Sequence, residues 1–71
     1  MDNTSVKPDV PTYLKFTIGI DEAAEYYGIG EKKLRQIVYE HPDGEFYLEV
    51  GRRVLLKRQK FEEFLNQSTT L

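Results

Sequence analysis

The sequence contains no cysteine and only one histidine, His41. Without cysteine there is no disulfide and no thiolate-based zinc site, a composition that suits a reducing compartment. No apolar run approaches the roughly 20 residues that a membrane span needs, and the opening MDNTSVKPDV does not have the layout of a signal peptide. The only serines, Ser5 and Ser68, fall near the two ends of the chain. There is no glycine-rich phosphate loop, no metal-ligand cluster and no His–carboxylate spacing that would serve catalysis. The expectation is therefore a protein that is not an enzyme and carries no cofactor and no metal. An excess of positive charge is also missing. The net charge is −2 with a pI of about 5.3, which taken alone argues against a nucleic-acid partner.

The distribution of charge says otherwise. Eight of the ten basic residues lie between Lys32 and Lys60, a window whose four acids leave a balance of +4. Asp21, Glu22 and Glu25 are grouped upstream. Charge segregated in this way can form one basic face, and the local field decides binding more than the net charge does.

The chain has 71 residues with 39% hydrophobic and 31% charged, one small domain by size and composition. Such a domain buries only about 60% of its unfolded surface, enough for a modest core and not for a deep pocket. Residues 1–12 are polar, include Pro8 and Pro11, and read as a flexible tail. Residues 67–71 read the same way, which leaves 13–66 as the folded domain.

Within it, YLKFTI (13–18) alternates as a strand, with Leu14, Phe16 and Ile18 on one face. Ile20, Ala23, Ala24 and Tyr27 then recur at helical spacing, with Gly19 as a possible N-cap and Asp21 and Glu22 in the first turn, where the helix dipole favours acids. Gly28 ends this first helix. A second helix runs from near Glu31 to Glu40 or His41, with Leu34, Ile37 and Val38 inward. His41 is expected at its end, near the C-terminal dipole. After the loop Pro42-Asp43-Gly44, FYLEV (46–50) and RVLLK (53–57) flank Gly51-Arg52, a two-residue connection that suits a type II′ hairpin. Phe46, Leu48 and Val50 are expected on one face. Phe61, Phe64 and Leu65 mark a third helix over about Gln59–Asn66, preceded by no Ser, Thr, Asp or Asn to cap it.

Two short helices joined by a three-residue glycine turn fit the helix-turn-helix unit. Counted from Ile20, the small residue at the fifth place is Ala24, the turn glycine at the ninth is Gly28, and the packing residues at the fifteenth and eighteenth are Leu34 and Ile37. At 100° per residue the outward face of the second helix carries Lys32, Gln36 and Tyr39, flanked by Lys33 and Arg35. Lysine and arginine neutralise phosphates, while arginine and glutamine match guanine and adenine edges. Glu31 reads as a dipole partner at the helix start. The hairpin that follows resembles a wing, with Arg52 and Arg53 at its tip suited to a minor groove. Lys57 and Arg58, at the far end of the second hairpin strand, are candidate phosphate contacts. Lys60 reads as surface.

IDEAAEYYGIGEKKLRQI followed by GRRVLLKRQKFEEFL resembles the small excisionases of conjugative transposons and related integrative elements, over about Tyr13 to Leu65. The broader likeness is to the excisionase-type helix-turn-helix domain, similar to the winged-helix domain of mercury-resistance-type regulators. The chain differs from that family in having Gly19 in place of a hydroxyl residue at the start of the first helix, and in its acidic balance. The resemblance implies a small α+β winged helix-turn-helix of about three helices with a two- to three-stranded antiparallel sheet. It implies that the second helix enters the major groove of double-stranded DNA and the hairpin the adjacent minor groove. It implies a recombination directionality factor that binds and bends attachment-site DNA and helps a tyrosine-family integrase excise a mobile element. It also implies a cytoplasmic, nucleoid-associated protein of bacteria, monomeric in solution and binding DNA cooperatively. The residues alone also admit a small transcriptional regulator using the same face, or a protein-interaction adaptor using its acidic first helix.

Overall fold

The structure, a computed structural model, describes residues 10–71. Most of the expected tail 1–12 thus lies outside the described residues. The order along the chain is strand, helix, helix, hairpin, helix: β1 (Thr17–Gly19), α1 (Ile20–Tyr27), α2 (Glu31–Glu40), β2 (Tyr47–Val50), β3 (Arg53–Lys57) and α3 (Arg58–Asn66). The three strands form one antiparallel sheet in the order β1-β3-β2. Three helices against a small antiparallel sheet is the α+β winged helix-turn-helix architecture read from the sequence.

The core is built from Ile18, Ile20, Ala23, Leu34, Ile37, Val38, Phe46, Leu56 and Phe61. Leu34 and Ile37 close α2 onto α1, as the helix-turn-helix spacing requires. Gly28 ends α1 at φ +70°, a left-handed conformation that glycine adopts without a Cβ penalty, and its N–H donates to the Ala24 carbonyl at 3.0 Å. Ala23 is the fully buried alanine of the pair, and Ala24 packs at the core margin. The hairpin pairs Val50 with Arg53, so Gly51-Arg52 is its two-residue loop, and Gly51 has the positive φ (+61°) that primed hairpin turns need at their first position.

Two expectations are corrected. Residues 13–18 are not one strand. Thr12–Leu14 form a 3-10 turn, held by the Leu14 N–H on the Pro11 carbonyl at 2.9 Å and the Lys15 N–H on the Thr12 carbonyl at 3.0 Å. The ladder with β3 begins only at Thr17, opposite Lys57. With no partner strand to enforce the alternation, Leu14 and Phe16 remain exposed at 64% and 70%, and Ile18 alone reaches the core. The phase of β2 also differs. Tyr47 pairs with the buried Leu56 and packs on the core, whereas Leu48 pairs with Leu55 on the outer sheet face, and Val50 is exposed. Phe46 is buried from a position just before the strand, so it does not share a face with Leu48 and Val50.

Helix α3 starts at Arg58 with no side-chain cap, as the absence of a capping residue foretells. Its start is instead fixed by Arg58. The Arg58 N–H donates to the Phe16 carbonyl at 2.9 Å, and the Nε donates to the Lys15 carbonyl at 2.9 Å. The Tyr27 hydroxyl completes this corner by donating to Glu62 at 2.9 Å. Burial, and then the Glu62 carboxylate, push the Tyr27 phenol well above its ordinary range.

Candidate nucleic-acid interface

Helix α2 has ten residues, about 15 Å of rise, and a helix of ordinary diameter fits a B-form major groove about 12 Å wide. Burial of Leu34, Ile37 and Val38 turns the remaining face outward. Lys32, Arg35, Gln36 and Tyr39 are all exposed, and Tyr39 reaches 86%. An aromatic ring this open, on a helix whose other large apolar residues are buried, is not part of the core.

The basic side chains divide around the helix. Arg35 lies on the wing side. It lines one recess with Gly19, Asp21, Arg52 and Arg53, and another with Tyr39, Tyr47 and Glu49. Lys33 is half-buried on the opposite side and shares a recess with His41 and Phe64 of α3. Lys32 and Gln36 stand between them. Two internal contacts hold this face. Gln36 Nε2 donates to Glu40 Oε2 at 3.0 Å, and Arg35 lies 3.9 Å from Glu31, a loose exposed pair worth little. Glu31 is thus both the first residue of α2 and the partner of Arg35. His41 Nδ1 lies 2.8 Å from the Ile37 carbonyl, so the ring takes up a carbonyl that the end of the helix leaves open.

Arg52 occupies the exposed hairpin loop and Arg53 the first position of β3, also exposed. The fold therefore brings Arg52 and Arg53 to the same recess as Arg35, 17 and 18 residues away in sequence, and makes one candidate surface of α2 and the hairpin. The hairpin end of β3 is where this surface lies. Lys57 stands at the other end of the strand, half-buried and opposite Thr17. Arg58 is engaged inside the fold by the Lys15 carbonyl and by Glu62 at 3.2 Å, with its side chain only 13% exposed. Lys60 is at the surface, 4.0 Å from Glu63.

A family model described as Tn916-Xis, excisionase from transposon Tn916, matches residues 1–71. The chain belongs to that family. A relative from Streptococcus agalactiae serotype V, an excisionase from transposon Tn916, is 34% identical over 58 residues, which cover 82% of this chain and 87% of the relative. The resemblance drawn from IGEKKLR and the wing sequence is thus upheld over the full winged domain. Membership also accounts for what the site contains. Its exposed arginines, lysine, glutamine amide and aromatic ring are the chemistry of a DNA-binding surface, with Asp21 and Glu49 at its edges.

The acids Asp21 and Glu49 are interface-lining residues that the sequence did not single out. Asp21 reads as a helix-dipole partner and nothing more. Glu49 is hidden by the phase of β2, because the run Val54-Leu55-Leu56 offers no polar residue to show which side of the hairpin faces the core. The two-residue loop was the available signal. It sets Glu49 opposite Val54, whose side chain packs on the core, and so turns Glu49 toward α2.

Among the described residues no helix is long and apolar enough to cross a membrane.

Proposed function

We propose that this protein is an excisionase-type recombination directionality factor. It binds and bends the attachment-site DNA of a mobile element and so helps a tyrosine-family integrase to excise that element. The carrying observation is the joint surface of α2 and the hairpin. Arg35 on the recognition helix and Arg52 and Arg53 on the wing share one recess, so both elements can meet one stretch of duplex together. In this reading α2 lies in the major groove, with Lys32, Arg35, Gln36 and Tyr39 toward DNA and Lys33, half-buried on the side away from the wing, at its margin. The wing arginines lie at the adjacent backbone and minor groove. Lys57 is left a marginal backbone contact and Arg58 none, given where each is held.

An acidic chain binding DNA through one basic face is expected to bind modestly alone, and cooperative occupation of neighbouring sites by monomers supplies the rest. Bending fits the same geometry. Two elements inserted side by side grip the duplex over successive grooves, and the closer fit of a curved duplex against both offsets a deformation cost of a few kcal/mol.

The test is an excision reaction on the paired ends of the element with its own integrase. Product should depend on this protein. Equal product without it would leave a DNA-binding regulator with no part in recombination. Affinity for attachment-site duplex should also fall steeply with salt, by about 0.9 log units per log of salt for each phosphate contacted. A flat response would end the DNA-binding reading itself and favour an adaptor acting through proteins.

A further inference from the structure

Resting on that DNA-binding reading, we propose that Arg53 is not a groove-reading wing residue. With Arg35 it seats a single DNA backbone phosphate where the recognition helix, the wing and the first turn of α1 meet, and Asp21 attenuates that seat. The recess has a volume of about 200 Å³, room for a phosphate group and several waters at about 30 Å³ each. Three guanidinium-bearing residues, Arg35, Arg52 and Arg53, line it together with Gly19, Asp21 and the apolar Ile20 and Val54. Among the described residues neither Arg52 nor Arg53 forms an ion pair.

The strand register explains why Arg53 reaches the first turn of α1. Thr17 pairs with Lys57 and Gly19 with Leu55, so the next step along the same face sets Arg53 against the residues just after β1, which are the first turn of α1. The side chain does lie there: a Cβ built on Gly19 would sit 4.0 Å from Arg53 Nη2. The same Cβ would come within 3.0 Å of Asp21 Oδ1. Glycine at 19 therefore keeps the floor of the recess open. Gly19 is also the N-cap of α1 and makes no side-chain cap bond, so the positive end of the helix dipole adds to the field at the recess. Planar guanidinium groups match phosphate oxygens in pairs, which makes arginine the suitable residue for such a seat.

Asp21 is the one acid that lines the recess. Its carboxylate shares the space that the phosphate would enter, so it moderates the field of the arginines in the free protein and repels the ligand on arrival. The surface is thereby weakened at one point, in keeping with a protein that relies on neighbouring copies for occupancy.

The experiment compares the salt dependence of binding to attachment-site duplex and to random duplex for the wild type, Arg53→Ala, Asp21→Asn and Lys60→Ala, each first shown to be folded by its thermal transition. Arg53→Ala should lower the slope of log K against log salt by about 0.9 on both duplexes alike, the signature of one lost phosphate contact. Lys60→Ala, which removes a charge outside the recess, should leave the slope unchanged. Asp21→Asn should bind both duplexes roughly fivefold more tightly at low salt, the order expected for removing one like charge at about 4 Å in water. An unchanged slope for Arg53→Ala, a loss confined to A·T-rich duplex, or no gain for Asp21→Asn would overturn the seat. A steep slope in the wild type under any of those outcomes would leave the broader DNA-binding reading standing, whereas a flat wild-type slope would remove both.

Discussion

Arg58 Nε donates to the Lys15 carbonyl oxygen across 43 residues of sequence, at 2.9 Å. The bond joins the first residue of α3 to the segment that enters β1, and Glu62 neutralises the same guanidinium at 3.2 Å. A charge this enclosed serves the fold. Arg58→Ala is expected to destabilise the protein by about 1–3 kcal/mol, the range for a lost charge-assisted hydrogen bond and an unpaired partner. For a domain of this size each kcal/mol lowers the melting temperature by about 4–8 °C. DNA affinity, measured well below the transition, should be nearly unchanged. A large affinity loss in a fully folded Arg58→Ala protein would return this residue to the interface.

Glu22 holds the entry segment from the other side. Its carboxylate accepts from Lys15 Nζ at 2.8 Å and from the Thr12 hydroxyl at 2.6 Å. The Lys15 bond, followed by that of Thr12, keeps this carboxyl below its ordinary value of 4.5. A carboxyl whose folded-state value is depressed stabilises the protein above the unfolded value, and that share is lost as pH falls through the folded value. The melting temperature should therefore decline as pH drops below about 4.5, and Glu22→Gln should flatten that decline while lowering stability at neutral pH. Identical acid profiles for the two proteins would show that the clasp contributes nothing.

The contrast between Gly28 and Leu48 shows what could be read from sequence and what could not. Gly28 was legible because one local requirement, a positive φ at a helix end, selects one residue type wherever the helix packs. Leu34 and Ile37 were legible for a similar reason, since their spacing is fixed by the helix period. The inward phase of β2 was not. Phe46, Leu48 and Val50 alternate cleanly, yet pairing with β3 fixes the phase through Leu56, and Phe46 reaches the core from outside the strand as part of an aromatic cluster with Phe61 and Phe64 at centroid distances of 5.4 and 4.8 Å. The sharing of one recess by Arg35 and Arg53 was likewise hidden, because it depends on how α2 and the hairpin pack together and not on any local pattern.

Gly28 yields a stability prediction of its own. At φ +70° a Cβ placed on this residue would have no atom within 4 Å, so alanine meets no neighbour and the cost is backbone strain alone. Gly28→Ala should cost about 1–2 kcal/mol. Gly51→Ala, at φ +61° and equally open, should cost a similar amount. The consequences differ by place: the first loosens the angle between α1 and α2, the second the hairpin loop that carries Arg52. Chemical denaturation of both variants checks the magnitude. No change at Gly28 would mean that the turn relaxes to a negative φ without loss.

Gln36 offers the sharpest test of base reading. One Nε2 hydrogen is used on Glu40, which leaves the other Nε2 hydrogen and the Oε1 acceptor free on the exposed face. That is the donor–acceptor pair that adenine N7 and N6 require in the major groove. The bond to Glu40 fixes the orientation of the amide in the free protein, which under the proposed function is the orientation that meets DNA. Gln36→Ala should cost about 1–3 kcal/mol on attachment-site duplex and little on random duplex, with the salt slope unchanged because no phosphate contact is removed. Glu40→Ala should shift specificity in the same direction by less, since the amide remains but is free to rotate. Competition binding with site variants that replace single A·T pairs would locate the adenine. Equal losses on specific and random duplex would assign Gln36 to the backbone and end its role in base reading.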